Sequence, residues 1–207
     1  YHLGENNKSV NEWFVLLRQT VKETGECANK RIESIDKLVN DCNNLADIKY
    51  DFLFDEKRQL FSVGYNVDRR IRDESYYDLL ASEARLASYV AIAQGKIKQK
   101  NWFSLGRMLT SASGELALLS WGGTMFEYLM PQLVMPTYEN TLLNQTYKAA
   151  VRRQIDYGEQ RSVPWGISES GYNMTDASLV YQYRAFGVPG LGLKRGLSED
   201  LVITPYA

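Results

Sequence analysis

Apolar residues recur at three- and four-residue spacing near the start of the chain: Trp13, Leu16, Leu17, Thr20 and Val21, then Ile32, Ile35, Leu38, Val39 and Cys42. That period lines one side of an α-helix and predicts a helix over residues 9–46, with Gly25 as its weak point and a charged, solvated opposite face. Between 50 and 72 the pattern changes. Phe52–Asp55 and Leu60–Tyr65 read as two short extended arms around the turn signal Asp55-Glu56-Lys57-Arg58, a small β-hairpin. Helical spacing returns over 75–94 through Leu79, Leu80, Ala84, Ala87, Val90 and Ala91, with Ser75 as the expected cap, Asp78 three residues on, and Gly95 as the stop.

Beyond this, Trp102 to Arg107 reads as a loop or short turn. The apolar run 114–120 is broken by Gly122-Gly123, and Thr124 to Met130 predicts a short helix ended by Pro131 and Pro136. Leu143, Tyr147, Val151 and Ile155 repeat the helical period over 139–160, with Gly158 near the end. From 161 the chain is loop-rich, with a short helix expected at 175–184. No β-α-β alternation is visible. The expectation is a mainly α architecture whose long aromatic, glycine-containing loops carry the chemistry. The run Gly187-Val188-Pro189-Gly190-Leu191-Gly192-Leu193-Lys194-Arg195-Gly196 superficially resembles a phosphate loop. It lacks the Gly-Lys-Ser/Thr ending and the preceding apolar strand, so that role is set aside; Lys194 and Arg195 remain available to an anion, sugar hydroxyls or a carboxylate.

Composition narrows the chemistry. With 207 residues, 44% apolar and 24% charged, the chain lies in the ordinary globular range. A formal net charge of −1 and the lack of a basic stripe argue against a nucleic-acid partner. Cys27 and Cys42 lie in a helical stretch and the single histidine, His2, is terminal, so no disulfide framework and no Cys/His metal site is expected; no cofactor is expected either. There is no apolar run approaching the length of a membrane span and no signal peptide. The chain opens without a methionine and ends at Pro205-Tyr206-Ala207, and is expected to be an excised segment.

Acid–base and nucleophilic chemistry then falls to carboxylates, and three stand in unusual contexts. Glu83 lies among small and apolar residues, where a buried glutamate holds its proton more tightly and can act as a general acid. Glu127 follows Ser120-Trp121-Gly122-Gly123-Thr124-Met125-Phe126, and Glu169 follows Val163-Pro164-Trp165-Gly166-Ile167-Ser168. A carboxylate beside an indole face is what a sugar-processing site needs: the ring stacks on the apolar face of a pyranose while the acid handles hydroxyls or the anomeric carbon. Tyr76, Tyr77, Tyr181, Trp121 and Trp165 are candidate sugar platforms. Each feature also has a plain alternative: a surface or arginine-paired Glu83, a Glu127 that serves a helix start, a solvated Glu169 in a structural loop, and aromatics that are core.

The motifs Phe52-Leu53-Phe54-Asp55, Leu60 to Tyr65, Tyr76 to Arg85, Ser120 to Pro131, Val163 to Ser170 and Tyr181 to Tyr206 occur in an order that resembles the glucoamylase-like domain of cyclic β-1,2-glucan synthases, a family related to endo-β-1,2-glucanases. The resemblance covers residues 48–207, with 1–47 similar to a helical lead-in. It implies part of an (α/α)6 toroid with a small β-hairpin and long loops, and an active-site cleft at one end. Such a toroid takes about twelve helices, against roughly six to eight expected here at ordinary helix lengths, so the resemblance implies a domain incomplete at its C-terminus.

Carried over by matching motif, Glu83 takes the place of the general acid/base and Glu169 that of the nucleophile. Tyr77, Asp78, Arg85, Trp121, Glu127, Trp165 and Tyr181 fall among substrate contacts or their supports. The implied reaction is retaining transglycosylation that closes linear β-1,2-glucan on itself. The implied partners are that glucan, and neighbouring synthase domains or the remaining C-terminal part of the toroid. As part of a synthase the region is expected on the cytoplasmic side of the membrane, whereas a stand-alone glucanase leaves its location open. A hydrolytic endo-β-1,2-glucanase, a non-catalytic carbohydrate-binding segment and a purely structural piece remain open alternatives.

Overall fold

The computed structural model describes residues 3–204. His2 and the end of the last matching motif, through Tyr206, lie outside them. The chain divides into two units, Tyr1–Lys49 and Tyr50–Ala207.

The first unit is one helix, α1 (Leu3–Ala46). It is continuous through Gly25, where glycine costs about 1 kcal/mol relative to alanine in a helix interior. Its apolar stripe is exposed: Trp13, Phe14, Leu17, Ile35 and Leu38 are each at least 40% accessible. Cys27 and Cys42 are free thiols on the same exposed helix.

The second unit does not have the expected mainly α architecture. It is a mixed α/β body, and its strands form four separate two-stranded antiparallel sheets. In chain order these are β1 (Phe54–Asp55) with β2 (Leu60–Phe61), β3 (Tyr65–Asn66) with β4 (Ile71–Arg72), β5 (Leu109–Ala112) with β6 (Glu115–Leu118), and β7 (Glu169–Thr175) with β8 (Tyr181–Ala185). Between them lie α2 (Ser82–Ala93), α3 (Lys100–Ser104), α4 (Met125–Leu129), a 3-10 turn (Met130–Leu133) and α5 (Leu142–Arg161). Only α2 and α5 exceed five residues. Among the described residues of this unit no ring of paired helices forms, so the toroid expectation is overturned for this chain.

The local reasons are visible. The first hairpin closes with Phe54 opposite Phe61, as its apolar arms predict. Helix α2 starts at Ser82 rather than Ser75 because Asp78 takes over the backbone: its Oδ1 accepts from the Leu80 and Ala81 amides at 2.8 and 3.0 Å, while the Leu79 amide donates to the Gly106 carbonyl. Those bonds keep 75–81 out of the helix, with Tyr76 and Asp78 in single β-bridges and 79–80 in a turn, a competition that short polar side chains often win. Gly95, at φ +69°, ends the helix as expected. Residues 181–185 form a strand, not the expected short helix. The alternation Tyr181-Gln182-Tyr183-Arg184 has the two-residue period of a strand, and β7 supplies the partner. Trp102 to Ser104, expected in a loop, belong to α3.

One core gathers Leu79, Leu80, Leu118, Tyr128, Ile167, Val188 and Leu191, all at most 2% exposed; a smaller one packs Tyr50, Phe54, Phe61 and Ala91. The phosphate-loop-like glycines serve the larger core as backbone contacts. Residues 187–194 run beside 120–123, with bonds from Ser120 N to Leu191 O, Leu193 N to Ser120 O, Lys194 N to Trp121 O and Val188 N to Gly123 O. A Cβ on Gly187 would sit 1.8 Å from the Gly122 carbonyl oxygen, and one on Gly192 2.7 Å from the Gly122 carbonyl carbon. Only glycine lets the two backbones approach so closely. Lys194 is engaged within the body, donating to the Ala185 carbonyl at 2.8 Å.

Candidate active site

A cleft of about 500 Å³ opens between the segment 75–81, the start of α2, the Trp121–Glu127 loop and the start of β7. Glu83, Glu169, Tyr77, Asp78, Trp121 and Glu127 all line it, joined by Val63, Ser75, Tyr76, Ala81 and Phe126. Arg85, Trp165 and Tyr181 are not among its lining residues.

The segment 75–81 is fixed at both ends. Val63 N donates to Ser75 O, Ser62 Oγ donates to the Asp73 carbonyl, and Asp78 pairs in a parallel bridge with Gly106. Tyr76 donates its hydroxyl to Asp55 Oδ2 at 2.6 Å, and the Arg58 guanidinium lies 5.0 Å from its ring centre. That hydrogen bond is the main cause that holds the Asp55 carboxyl below its ordinary pKa and raises the Tyr76 hydroxyl above its own. Glu83 is exposed, in the first turn of α2, where the helix macrodipole favours negative charge. It is therefore a first-turn residue open to solvent, not the enclosed mid-helix glutamate the sequence suggested.

Glu127 is a different carboxylate altogether. It accepts from Gly122 N at 3.0 and 3.1 Å, from Thr124 N at 3.1 Å and from Ser120 Oγ at 3.2 Å, while Thr124 Oγ1 accepts from Glu127 N to complete a capping box. Its lone pairs are committed to shaping the loop that presents Trp121, whose side chain is 68% exposed. Arg85 lies beneath, fully buried. Its Nη1 donates to the Tyr147 hydroxyl at 2.9 Å and its Nη2 to the Glu127 carbonyl at 3.1 Å, tying α2 to α4 and α5. Burial lowers the Arg85 pKa, and the nearby Tyr147 and Asp78 act in the opposite direction.

Glu169 stands on the most firmly braced backbone. Gln154, 1% exposed, donates to Ile167 O at 2.8 Å and accepts from Ile167 N at 2.9 Å. Met125 N also donates to Ile167 O, Phe126 N to Ser168 Oγ at 3.0 Å, and Thr204 N to Gly166 O. A planar amide that satisfies both backbone groups of one buried residue leaves that residue no alternative register. The Glu169 carboxylate accepts from the Tyr183 hydroxyl, on the neighbouring strand, at 2.7 Å. Trp165, by contrast, sits where α5 ends: a Cβ on Gly158 would meet its amide nitrogen at 3.1 Å. Tyr181 lies on β8, 69% exposed, beside the irregular register between Tyr172 and Thr175.

Two carboxylates from separate elements therefore face one cleft with exposed aromatics on its wall, an arrangement suited to acid–base and nucleophilic work on a carbohydrate. Among the described residues no group of three or more His, Cys, Asp or Glu side chains comes together to hold a metal ion. Sequence reasoning missed Val63, Ser75, Ala81 and Phe126, which carry no chemical signature. It also passed over Tyr183, whose signal was the alternation of aromatic and polar residues at 181–184.

Residues 75–207 match the Glycoamylase family model, described as "Putative glucoamylase". The chain belongs to the Glycoamylase family. It is also 51% identical over 158 residues to the cyclic beta-(1,2)-glucan synthase NdvB of Rhizobium meliloti (strain 1021). That alignment takes in 76% of this chain but 6% of the synthase, so the chain spans a small part of that relative's length. The family match begins at Ser75, the first residue of the 75–81 wall, and includes both Glu83 and Glu169.

Proposed function

We propose that this Glycoamylase-family segment processes β-1,2-glucan by retaining glycosyl transfer, with Glu169 as nucleophile and Glu83 as acid/base. The observation that carries the reading is the meeting of those two carboxylates, supplied by β7 and α2, in the cleft lined by Tyr77 and Trp121. The glucan and its linkage come from the 51% identity to a protein named as a cyclic β-1,2-glucan synthase.

In the first step a Glu169 oxygen bonds to the anomeric carbon as the glycosidic C–O bond breaks, and the leaving oxygen takes a proton from Glu83, directly or through a substrate hydroxyl. In the second, an acceptor hydroxyl attacks the same carbon and gives its proton to the Glu83 carboxylate, and the ester to Glu169 breaks. A sugar acceptor yields a new glucan linkage; closure on the chain's own end yields a ring. Trp121 and Tyr77 give the pyranose an aromatic wall, and Asp78 and Glu127 shape the backbone around it.

The test is incubation of the full chain with linear β-1,2-glucan, following product size and reducing ends, beside its Glu169→Gln variant. Longer or cyclic products without new reducing ends, lost in the variant, support transfer. Short products with rising reducing ends would replace transfer by hydrolysis. Turnover that survives Glu169→Gln would remove the carboxylate from the mechanism.

A further inference from the structure

The β7–β8 hairpin carries Glu169 at its base, and its register decides what stands beside that carboxylate. Glu169 pairs with Ala185 and Gly171 with Tyr183. In an antiparallel ladder directly opposed residues share a face, and so do residues two apart along one strand. Tyr183 and Glu169 are therefore diagonal neighbours on the same face, close enough for a long side chain to bridge. The position opposite Tyr183 is glycine, so no side chain competes for the space between them. The phenol crosses the diagonal and donates to Glu169 Oε2 at 2.7 Å.

From this geometry we infer that Tyr183 is a positioning residue for the Glu169 carboxylate, an inference that rests on the reading of Glu169 as nucleophile. The backbone of Glu169 is braced through Ile167, Ser168 and Thr204. Its side chain nevertheless has three rotatable bonds between Cα and the carboxylate, and a braced backbone does not orient them. An in-line attack on an anomeric carbon needs one oxygen at a set distance and angle. A misplacement on the order of 1 Å costs up to roughly a hundredfold in rate. The Tyr183 hydroxyl holds Oε2 and thereby sets the rotation of the whole carboxylate plane. Tyr183 itself is 66% exposed, so its ring contributes little to the core, and deleting its one oxygen leaves packing as it was.

The experiment compares the full chain with Tyr183→Phe, Glu83→Gln and Glu169→Gln on two donors, linear β-1,2-glucan and β-sophorosyl fluoride. The fluoride leaves without a proton from the acid, so it bypasses Glu83 but not Glu169 in the first step. The expected result is a fall of about tenfold or more in kcat for Tyr183→Phe, with KM within about twofold, on both donors. Glu83→Gln should recover the first-turnover burst of fluoride on the second donor, since only the later step needs its carboxylate as base, while Tyr183→Phe should not. An unchanged kcat in Tyr183→Phe, or a rise confined to KM, alongside an inactive Glu169→Gln, would overturn the positioning role and leave the nucleophile in place. Wild-type turnover in Glu169→Gln would instead sink the catalytic reading on which the inference stands.

Discussion

Two segments of this chain share a signature, an indole and glycine followed by a glutamate, and differ in what the glutamate does. In Trp121-Gly122-Gly123-Thr124-Met125-Phe126-Glu127 the carboxylate turns back on its own loop and accepts from Gly122, Thr124 and Ser120. In Trp165-Gly166-Ile167-Ser168-Glu169 the brace comes from Gln154 and from Phe126 N, which donates to Ser168 Oγ, and the carboxylate side chain is held by a phenol from another strand. Both line the same cleft. A carboxylate saturated by backbone donors serves the fold; one whose backbone is secured by other residues can serve a substrate. Composition alone does not tell them apart.

The largest expected effect tests that contrast directly. Glu169→Gln should lower turnover of β-1,2-glucan by about a thousandfold or more while leaving the thermal midpoint within a degree or two, because no brace of the backbone passes through its carboxylate. Activity assay and calorimetry on one preparation check both halves. If activity and midpoint fall together, Glu169 belongs with Glu127.

Next comes the floor beneath the first loop. Gly187→Ala drives a methyl to 1.8 Å from the Gly122 carbonyl oxygen, and the atom it meets is backbone, which cannot swing aside. Overpacking of this kind costs about 1–3 kcal/mol and sometimes more, and this contact belongs at the upper end. Urea unfolding followed through tryptophan fluorescence should show the drop. A near-wild-type midpoint would mean that the 187–192 backbone has room to retreat.

Glu127→Gln is expected to cost less, about 1–3 kcal/mol, because an amide offers one acceptor oxygen where the carboxylate uses two. Its activity should fall only as far as the Trp121 loop loosens, and at temperatures well below the midpoint most turnover should remain. Loss of turnover as complete as in Glu169→Gln would erase the distinction between the two segments.

The same contrast explains what could be read in advance. Helices α1 and α5 were legible because their apolar spacing runs over many turns, and α4 because Thr124 and Glu127 form a box within four residues. The toroid was not a safe extension of them. Ser75 to Ala81 carries a helical spacing, yet Asp78 and a distant Gly106 carbonyl claim its backbone, and no local pattern reports a partner twenty-eight residues away. The strands β5 to β8 are short and partly exposed, so their two-residue period was lost among the glycines and serines of their turns. At the site, motif order brought Glu83, Trp121 and Glu169 into view because each stands among aromatic, glycine or small residues. The same motifs also named Arg85, Trp165 and Tyr181, which do not line the cleft: Arg85 is fully buried, and Trp165 and Tyr181 are 44% and 69% exposed, since the direction of a side chain is decided by packing.

The smallest effect concerns the wall on which Tyr76 stands. Its hydroxyl bond is the first cause of the lowered Asp55 pKa, followed by the amide of Arg58, with Lys57 N and the charge of Arg72 adding less; desolvation opposes them. A carboxyl whose folded value lies below its ordinary 3.8 contributes stability that is present above that value and lost as pH falls through the folded one. Tyr76 mirrors it. Its hydroxyl is raised above 10.0, chiefly by the same bond, so its contribution is present below that value and lost as pH climbs through the raised one. The link therefore stands across the whole neutral range and fails only at the two extremes. Both groups face solvent, so each contribution is small. Asp55→Asn should remove this group's share of the acid loss of stability below about pH 4 and shift the Tyr76 hydroxyl back towards its ordinary range, read by circular dichroism and by phenolate absorbance. Turnover at neutral pH should change modestly, through the Tyr76 wall alone. An acid profile that does not move would mean that Lys57, Arg58 and Arg72 hold this corner without Asp55, and that the wall of the cleft is braced by its turn and not by the phenol.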